Sequence, residues 1–114
     1  MARDYVPNRG DIVWLQFDPQ AGHEQAGRRP AFVVSPRAYN RKVGLALFCP
    51  ISSRVKGYPF EVALSEGGKV DCVFLSDQMK SLDWRARKAS RVDRATDDVV
   101  QEVTGRILTL VDPA

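Results

Sequence analysis

A chain of 114 residues with 44% hydrophobic residues fits one domain, 1–114, with one modest core, and argues against two domains or a disordered chain. The net charge of +3 is mildly basic, while a single His and two Cys exclude a short-spaced zinc site. No run is apolar enough to act as a signal segment or to span a bilayer, so the expectation is a soluble, cytoplasmic protein with reduced, buried thiols at Cys49 and Cys72.

In chain order, GDIVWLQFDP (Gly10 to Pro19) alternates partly and ends on a turn dipeptide, which predicts a strand. PAFVVS (Pro30 to Ser35) is nearly continuous apolar sequence and predicts a central buried strand. PRAYNRKVG is a connection holding a single helical turn from Pro36. LALFCPIS (Leu45 to Ser52) predicts a third strand, with Pro50 marking an edge or a bulge. KGYPFEVALS predicts a turn at Lys56 to Pro59 and a short alternating strand, joined through the EGG turn at Glu66 to Gly68 to KVDCVFLSD. WRARKASRV is expected to form a last strand. Then Thr96 caps a helix whose first turn holds Asp97 and Asp98 and whose apolar positions are Val100, Val103, Ile107 and Leu110, with Gly105 a weak point. Short strands followed by one helix predict a mainly β, α+β domain: an antiparallel barrel or rolled sheet with a packed helix. Trp14 and Trp84 are expected to pack inside it.

The charge is segregated. From Gln25 to Phe60 there is no Asp or Glu but seven cations: Arg28, Arg29, Arg37, Arg41, Lys42, Arg54 and Lys56. Lys80, Arg85, Arg87, Lys88, Arg91 and Arg94 form a second set. Clustered Lys and Arg concentrate phosphates, which points to a polyanion, against the plain alternative of a basic solvated surface. RNA can be cut without metal when its 2′-hydroxyl attacks the adjacent phosphate. Such a site needs a proton acceptor, a proton donor and positive charge for the phosphorane. One His rules out a histidine pair, whereas Glu24 beside Arg28 or Arg29 supplies a carboxylate and a phosphate-binding guanidinium. The same residues could equally bind without cutting.

The run RGDIVWLQFDPQAGHEQAGRRPAFVVSP, followed by YN at Tyr39 and Asn40, CPISS, KGYPFEV (Lys56 to Val62) and LSDQMKSLDWRAR (Leu75 to Arg87), resembles the MazF-type (PemK-like) toxins of type II toxin–antitoxin modules over about four fifths of the chain. The resemblance implies a small SH3-like rolled sheet of the CcdB/PemK type. It also implies a homodimer, growth arrest and a metal-independent endoribonuclease that uses no cofactor. Such an enzyme cuts single-stranded RNA at short motifs, leaving 2′,3′-cyclic phosphate ends, and an acidic MazE-type antitoxin covers its RNA groove.

Position by position, it makes Arg29, its hydroxyl partner Ser52 and the loop residue Glu24 catalytic. Ser52 falls where the family usually has Thr; the hydroxyl is kept and the methyl that restricts rotation is lost. Lys56, Gly57, Tyr58 and Phe60 would line the RNA groove with Ser53, Gln78 and Lys80, a cation beside an aromatic suiting a phosphate beside a stacked base. Arg85 and Arg87, on one side of a strand, would add phosphate contacts. Arg28 is expected to bind RNA as well, but as the weaker of the paired arginines, because strand neighbours face opposite ways. His23 is expected to be an exposed loop residue. Two other readings remain open on the residues: a topoisomerase-poisoning toxin on the same fold, and a non-catalytic RNA-binding module.

Overall fold

The computed structural model describes residues 5–17, 27–66 and 69–112. Alternating burial along the first strand, β1 (Asp11–Phe17), sends Val13 and Leu15 to one face and Ile12 to the other. The strand β2 (Gly27–Val33) pairs antiparallel with it. After the helix α1 (Arg37–Val43) come β3 (Ala46–Ser52), β4 (Glu61–Glu66), β5 (Lys69–Leu75), β6 (Lys80–Leu82) and β7 (Ser90–Arg94), then the terminal helix α2 (Asp97–Val111). All pairings are antiparallel, in the order β4-β5-β3-β2-β1-β7, with β6 also paired to β3. Along the edge away from β2, β3 takes β6 beside Ala46–Phe48 and β5 beside Ile51 and Ser52. The chain is therefore a mainly antiparallel sheet with a C-terminal helix, as its pattern predicts.

Both faces of this sheet are covered. On one, Phe32 and Phe74 stack at 5.0 Å within a cluster that includes Cys49, Ile51 and Val62 and is closed by Val103 and Ile107 of α2. On the other, Val13, Leu15, Ala31, Val33 and Phe48 pack beneath Val6 and Trp84. Full burial of each such side chain contributes roughly 1.5–3 kcal/mol relative to exposure. Thr96 Oγ1 accepts the Val99 N–H at 3.4 Å, the expected cap of α2.

The N-terminal Gly-Asp pair has a structural reason. Gly10 sits at φ 95°, a conformation strained for any side chain, and a Cβ there would crowd the side chains of Arg94 and Val100 at 3.1 Å, which favours glycine. The buried Asp11 carboxylate accepts from the Tyr5 hydroxyl at 2.6 Å, from the Asn8 N–H at 3.1 Å and from Arg94 at 3.3 Å. Burial, with the Asp11 bond and charge adding to it, pushes the Tyr5 phenol above its ordinary range.

Several expectations are corrected. β2 starts at Gly27, three residues early, because Arg28 and Arg29 pair with Gln16 and Leu15 instead of lying ahead of the strand. α1 has seven residues rather than one turn, closed by Gly44 in the left-handed region at φ 83°. Its Asn40 is fully buried: Nδ2 donates to Pro7 O at 2.8 Å and to Ser35 O at 3.0 Å, and the Asn40 main-chain carbonyl accepts the Trp84 indole N–H at 3.0 Å. That indole bond holds Trp84 under the sheet, so the last strand starts at Ser90, not Trp84, after a turn in which Lys88 takes φ 57°. β6 has three residues, too few for alternation to reveal it. Trp84 packs as expected, but Trp14 is 41% exposed. Cys49 is fully buried, whereas Cys72 is only partly so.

Candidate nucleic-acid interface

Register brings the two central residues together. Ala31 pairs with Val13 on one side and Pro50 on the other, so these three share a face. Two residues before Ala31, Arg29 faces Leu15; two residues after Pro50, Ser52 projects from the same face of the neighbouring strand. The row that joins Val33 to Phe48 continues to Lys80, which is exposed. Arg29, Ser52 and Lys80 thus belong to one face of three adjoining strands, at and beyond the margin of the apolar cluster that fills the rest of it.

Ser52 has a defined hydroxyl. Its Oγ accepts the Arg54 N–H at 3.0 Å, a local turn that orients the side chain and leaves the O–H to donate outward. Here the backbone supplies the restraint that a β-methyl would supply in Thr. Arg29 is half-buried, a position that strengthens a guanidinium's electrostatic effect relative to open water.

After Ser53 the segment 54–60 runs beside the 76–79 turn, and hydrogen bonds join the two. The Phe60 carbonyl accepts from Ser76 N at 3.1 Å and from Ser76 Oγ at 2.5 Å. The Tyr58 hydroxyl donates to Asp77 Oδ1 at 2.9 Å, and that bond pushes the phenol above its ordinary range. Glu61 Oε1 accepts the Gly57 N–H at 2.8 Å, while Oε2 accepts the Lys56 N–H at 3.1 Å. These bonds make one surface of Lys56, Gly57, Tyr58 and Phe60, which follow Ser52 and Ser53 in the chain, and of the 76–79 turn that carries Gln78 and leads into Lys80. Sequence reasoning missed Ser76, Asp77 and Glu61, the residues that bind this surface together. The available signal was Glu61 itself, the first acid after the acid-free run from Gln25 to Phe60.

The paired arginines separate. Arg28 lies opposite Gln16 on the other face from Arg29, and its Nη2 donates to Lys88 O at 3.0 Å, Ser90 Oγ at 2.8 Å and Trp14 O at 3.3 Å. That commits Arg28 to holding β1, β2 and β7 together rather than to a groove. Arg85 and Arg87 do not share the side of a strand, since both lie in the turn before β7. Arg85 stacks 4.9 Å over the Trp84 ring, beside a cavity of about 320 Å³ that also touches Gly44. Arg87 donates to Gln16 O at 3.4 Å, near the β1 end that faces Arg28 and Arg29. Glu24 and His23 lie outside the described residues. Among the described residues no helix is long and apolar enough to cross a membrane.

With this geometry in place, similarity to known proteins becomes informative. Residues 8–111 match the family model described as the PemK-like, MazF-like toxin of type II toxin–antitoxin system. The chain is 47% identical over 111 residues to the endoribonuclease toxin MazF of Escherichia coli K12, covering 97% of this chain and 99% of that one. It is 35% identical to the Escherichia coli endoribonuclease PemK, covering 90% and 80% of the two chains. Among solved structures, MazF of Deinococcus radiodurans superposes with a TM-score of 0.82 at 55% identity, covering 95% of this chain and 98% of that chain. A MazE–MazF complex from the same organism gives 0.82 at 48% identity, over 96% and 98%. This chain belongs to the PemK-like, MazF-like family of toxins of type II toxin–antitoxin systems.

Proposed function

We propose that this chain is a metal-independent endoribonuclease that cuts single-stranded RNA at short sequence motifs in the cytoplasm, acts as a homodimer and is neutralised by a cognate MazE-type antitoxin. The observation that carries the reading is the common face of Arg29 and Ser52 on adjacent strands, with Lys80 of β6 on the same face. The names of the Escherichia coli relatives and the Deinococcus radiodurans complex support the nuclease and the antitoxin parts respectively.

In this mechanism the RNA 2′-hydroxyl attacks the adjacent phosphorus, and the bond to the departing 5′-oxygen breaks. A 2′,3′-cyclic phosphate remains on one fragment, and the departing 5′-oxygen, protonated with the help of the Arg29 guanidinium, leaves as a 5′-hydroxyl. Arg29 stabilises the charge that accumulates on the phosphorane oxygens, an effect that grows in a water-poor site. Ser52 donates its O–H to a non-bridging oxygen and orients the phosphate. Glu24 accepts the 2′-hydroxyl proton. Lys56 and Lys80 hold neighbouring phosphates, while Tyr58 and Phe60 offer ring faces to unstacked bases. An acidic antitoxin segment inhibits by placing carboxylates and apolar side chains where phosphates and bases would bind.

The test incubates purified protein with a long RNA in EDTA and maps the ends. Cyclic phosphate ends at recurring short motifs, abolished by Arg29→Ala, support the reading. RNA that is bound but left intact sinks it in favour of a non-catalytic binding module.

A further inference from the structure

Between Lys56 and Glu61 the chain folds back on itself around a carboxylate. Gly57 takes φ 84°, a conformation that turns its N–H and that of Lys56 toward one point. Consecutive N–H groups arranged in this way form a concavity suited to an anion. Here the anion is the chain's own. Oε1 of Glu61 accepts the Gly57 N–H at 2.8 Å and the Lys56 N–H at 3.2 Å, and Oε2 accepts the Lys56 N–H at 3.1 Å. The backbone of the same residue closes the turn, its N–H donating to Tyr58 O at 3.1 Å.

Glu61 is the first residue of β4 and pairs with Leu75 of β5, so its backbone belongs to the sheet while the segment it grips does not. We propose that Glu61 is a positioning residue for RNA binding, whose carboxylate fastens the Lys56–Gly57 turn to the sheet and thereby sets where Lys56 and Tyr58 stand relative to Arg29 and Ser52. This rests on the ribonuclease reading above. An acid next to a phosphate-binding groove is costly unless its charge is answered, and here three hydrogen bonds from backbone N–H groups answer it. The same geometry allows an opposite outcome, in which Glu61 occupies a phosphate site and incoming RNA displaces it. The two differ in the sign of what removing the charge does.

The test uses the full chain with Glu61→Gln, Gly57→Ala and the double variant, assayed on a long single-stranded RNA from sub-saturating to saturating concentration. Gln keeps the size but loses the charge and one acceptor. Gly57→Ala has open space for its methyl, yet places an alanine at a φ it rarely adopts. Positioning by Glu61 raises KM on the order of tenfold in each single variant while kcat changes by less than about threefold. It also makes the double variant no worse than the poorer single one, since both release the same turn.

A lower KM in Glu61→Gln, or tighter RNA binding when the change is made in an Arg29→Ala background, overturns the proposal in favour of a displaced carboxylate. An unchanged KM in a folded Glu61→Gln overturns it as well. Should Glu61→Gln fail to fold, Gly57→Ala alone decides by the same KM shift. Wild-type protein that leaves RNA uncut in EDTA sinks the ribonuclease reading instead. In that case RNA affinity measured by fluorescence anisotropy still reports on Glu61, and unchanged affinity in Glu61→Gln overturns the positioning role.

Discussion

The Arg28 guanidinium donates to Ser90 Oγ at 2.8 Å, joining positions 62 residues apart, while its neighbour Arg29 stands on the opposite face of the same strand. Two adjacent arginines thus serve different ends. Arg28→Ala is expected to lower unfolding free energy by about 1–2 kcal/mol, because Trp14, Lys88 and Ser90 lose their shared donor. Arg29→Ala is expected to abolish cleavage, which Arg28→Ala leaves in place. Urea denaturation beside a cleavage assay checks both; cleavage lost in an Arg28→Ala of unchanged stability and kept in Arg29→Ala would reverse the assignment.

Ser52 should behave as a restrained hydroxyl. Ser52→Ala is expected to reduce kcat on the order of a hundredfold through loss of one transition-state donor. Because the Arg54 N–H already orients Oγ, Ser52→Thr should change kcat by less than about threefold. A large gain in Ser52→Thr, read from single-turnover rates, would mean that the serine rotates freely in the working enzyme.

Phosphate contact should be unequal among the outlying cations. Lys56→Ala is expected to weaken RNA binding across sequences and to reduce the slope of log K against log salt by about 0.7, the single-strand value per phosphate. Arg85 sits over Trp84 beside Gly44, by the Ala46 end of β3 and away from Ser52. Arg85→Ala should therefore leave that slope unchanged. Binding isotherms at several salt concentrations decide, and a reduced slope in Arg85→Ala would extend the groove to that side.

The thiols should differ in reactivity. Burial pushes the Cys49 thiol up to about 12 from an ordinary 9.0, so the thiolate is scarce at neutral pH. Under native conditions a disulfide reagent should modify Cys72 well ahead of Cys49, with both equal in denaturant. Because the raised value belongs to the folded state, the neutral thiol's contribution to stability is complete below about pH 9 and is lost as pH rises toward 12. Chemical denaturation across that range should show Cys49→Ala losing less stability with pH than the wild type.

By itself the sequence determined the class of the fold, its strands at the apolar runs and the capped terminal helix, since alternation, turn residues and Thr96 act locally. It also marked Arg29, Ser52 and the Lys56–Phe60 segment, because residue type and order carry the family resemblance. Strand alternation already set Arg28 apart from Arg29, but only tertiary structure decided what each face meets: Arg28 bonds to Trp14, Lys88 and Ser90 at the β1–β7 seam, while Arg29 lies on the face it shares with Ser52. It delayed the start of the last strand from Trp84 to Ser90, because an indole bond from Trp84 to Asn40 spans 44 residues. It also brought Glu61 and Asp77 to the Lys56–Phe60 segment, as partners of Gly57 and Tyr58. Local chemistry can be read along a chain, but a hydrogen bond to a distant partner exists only once register has chosen which residues meet.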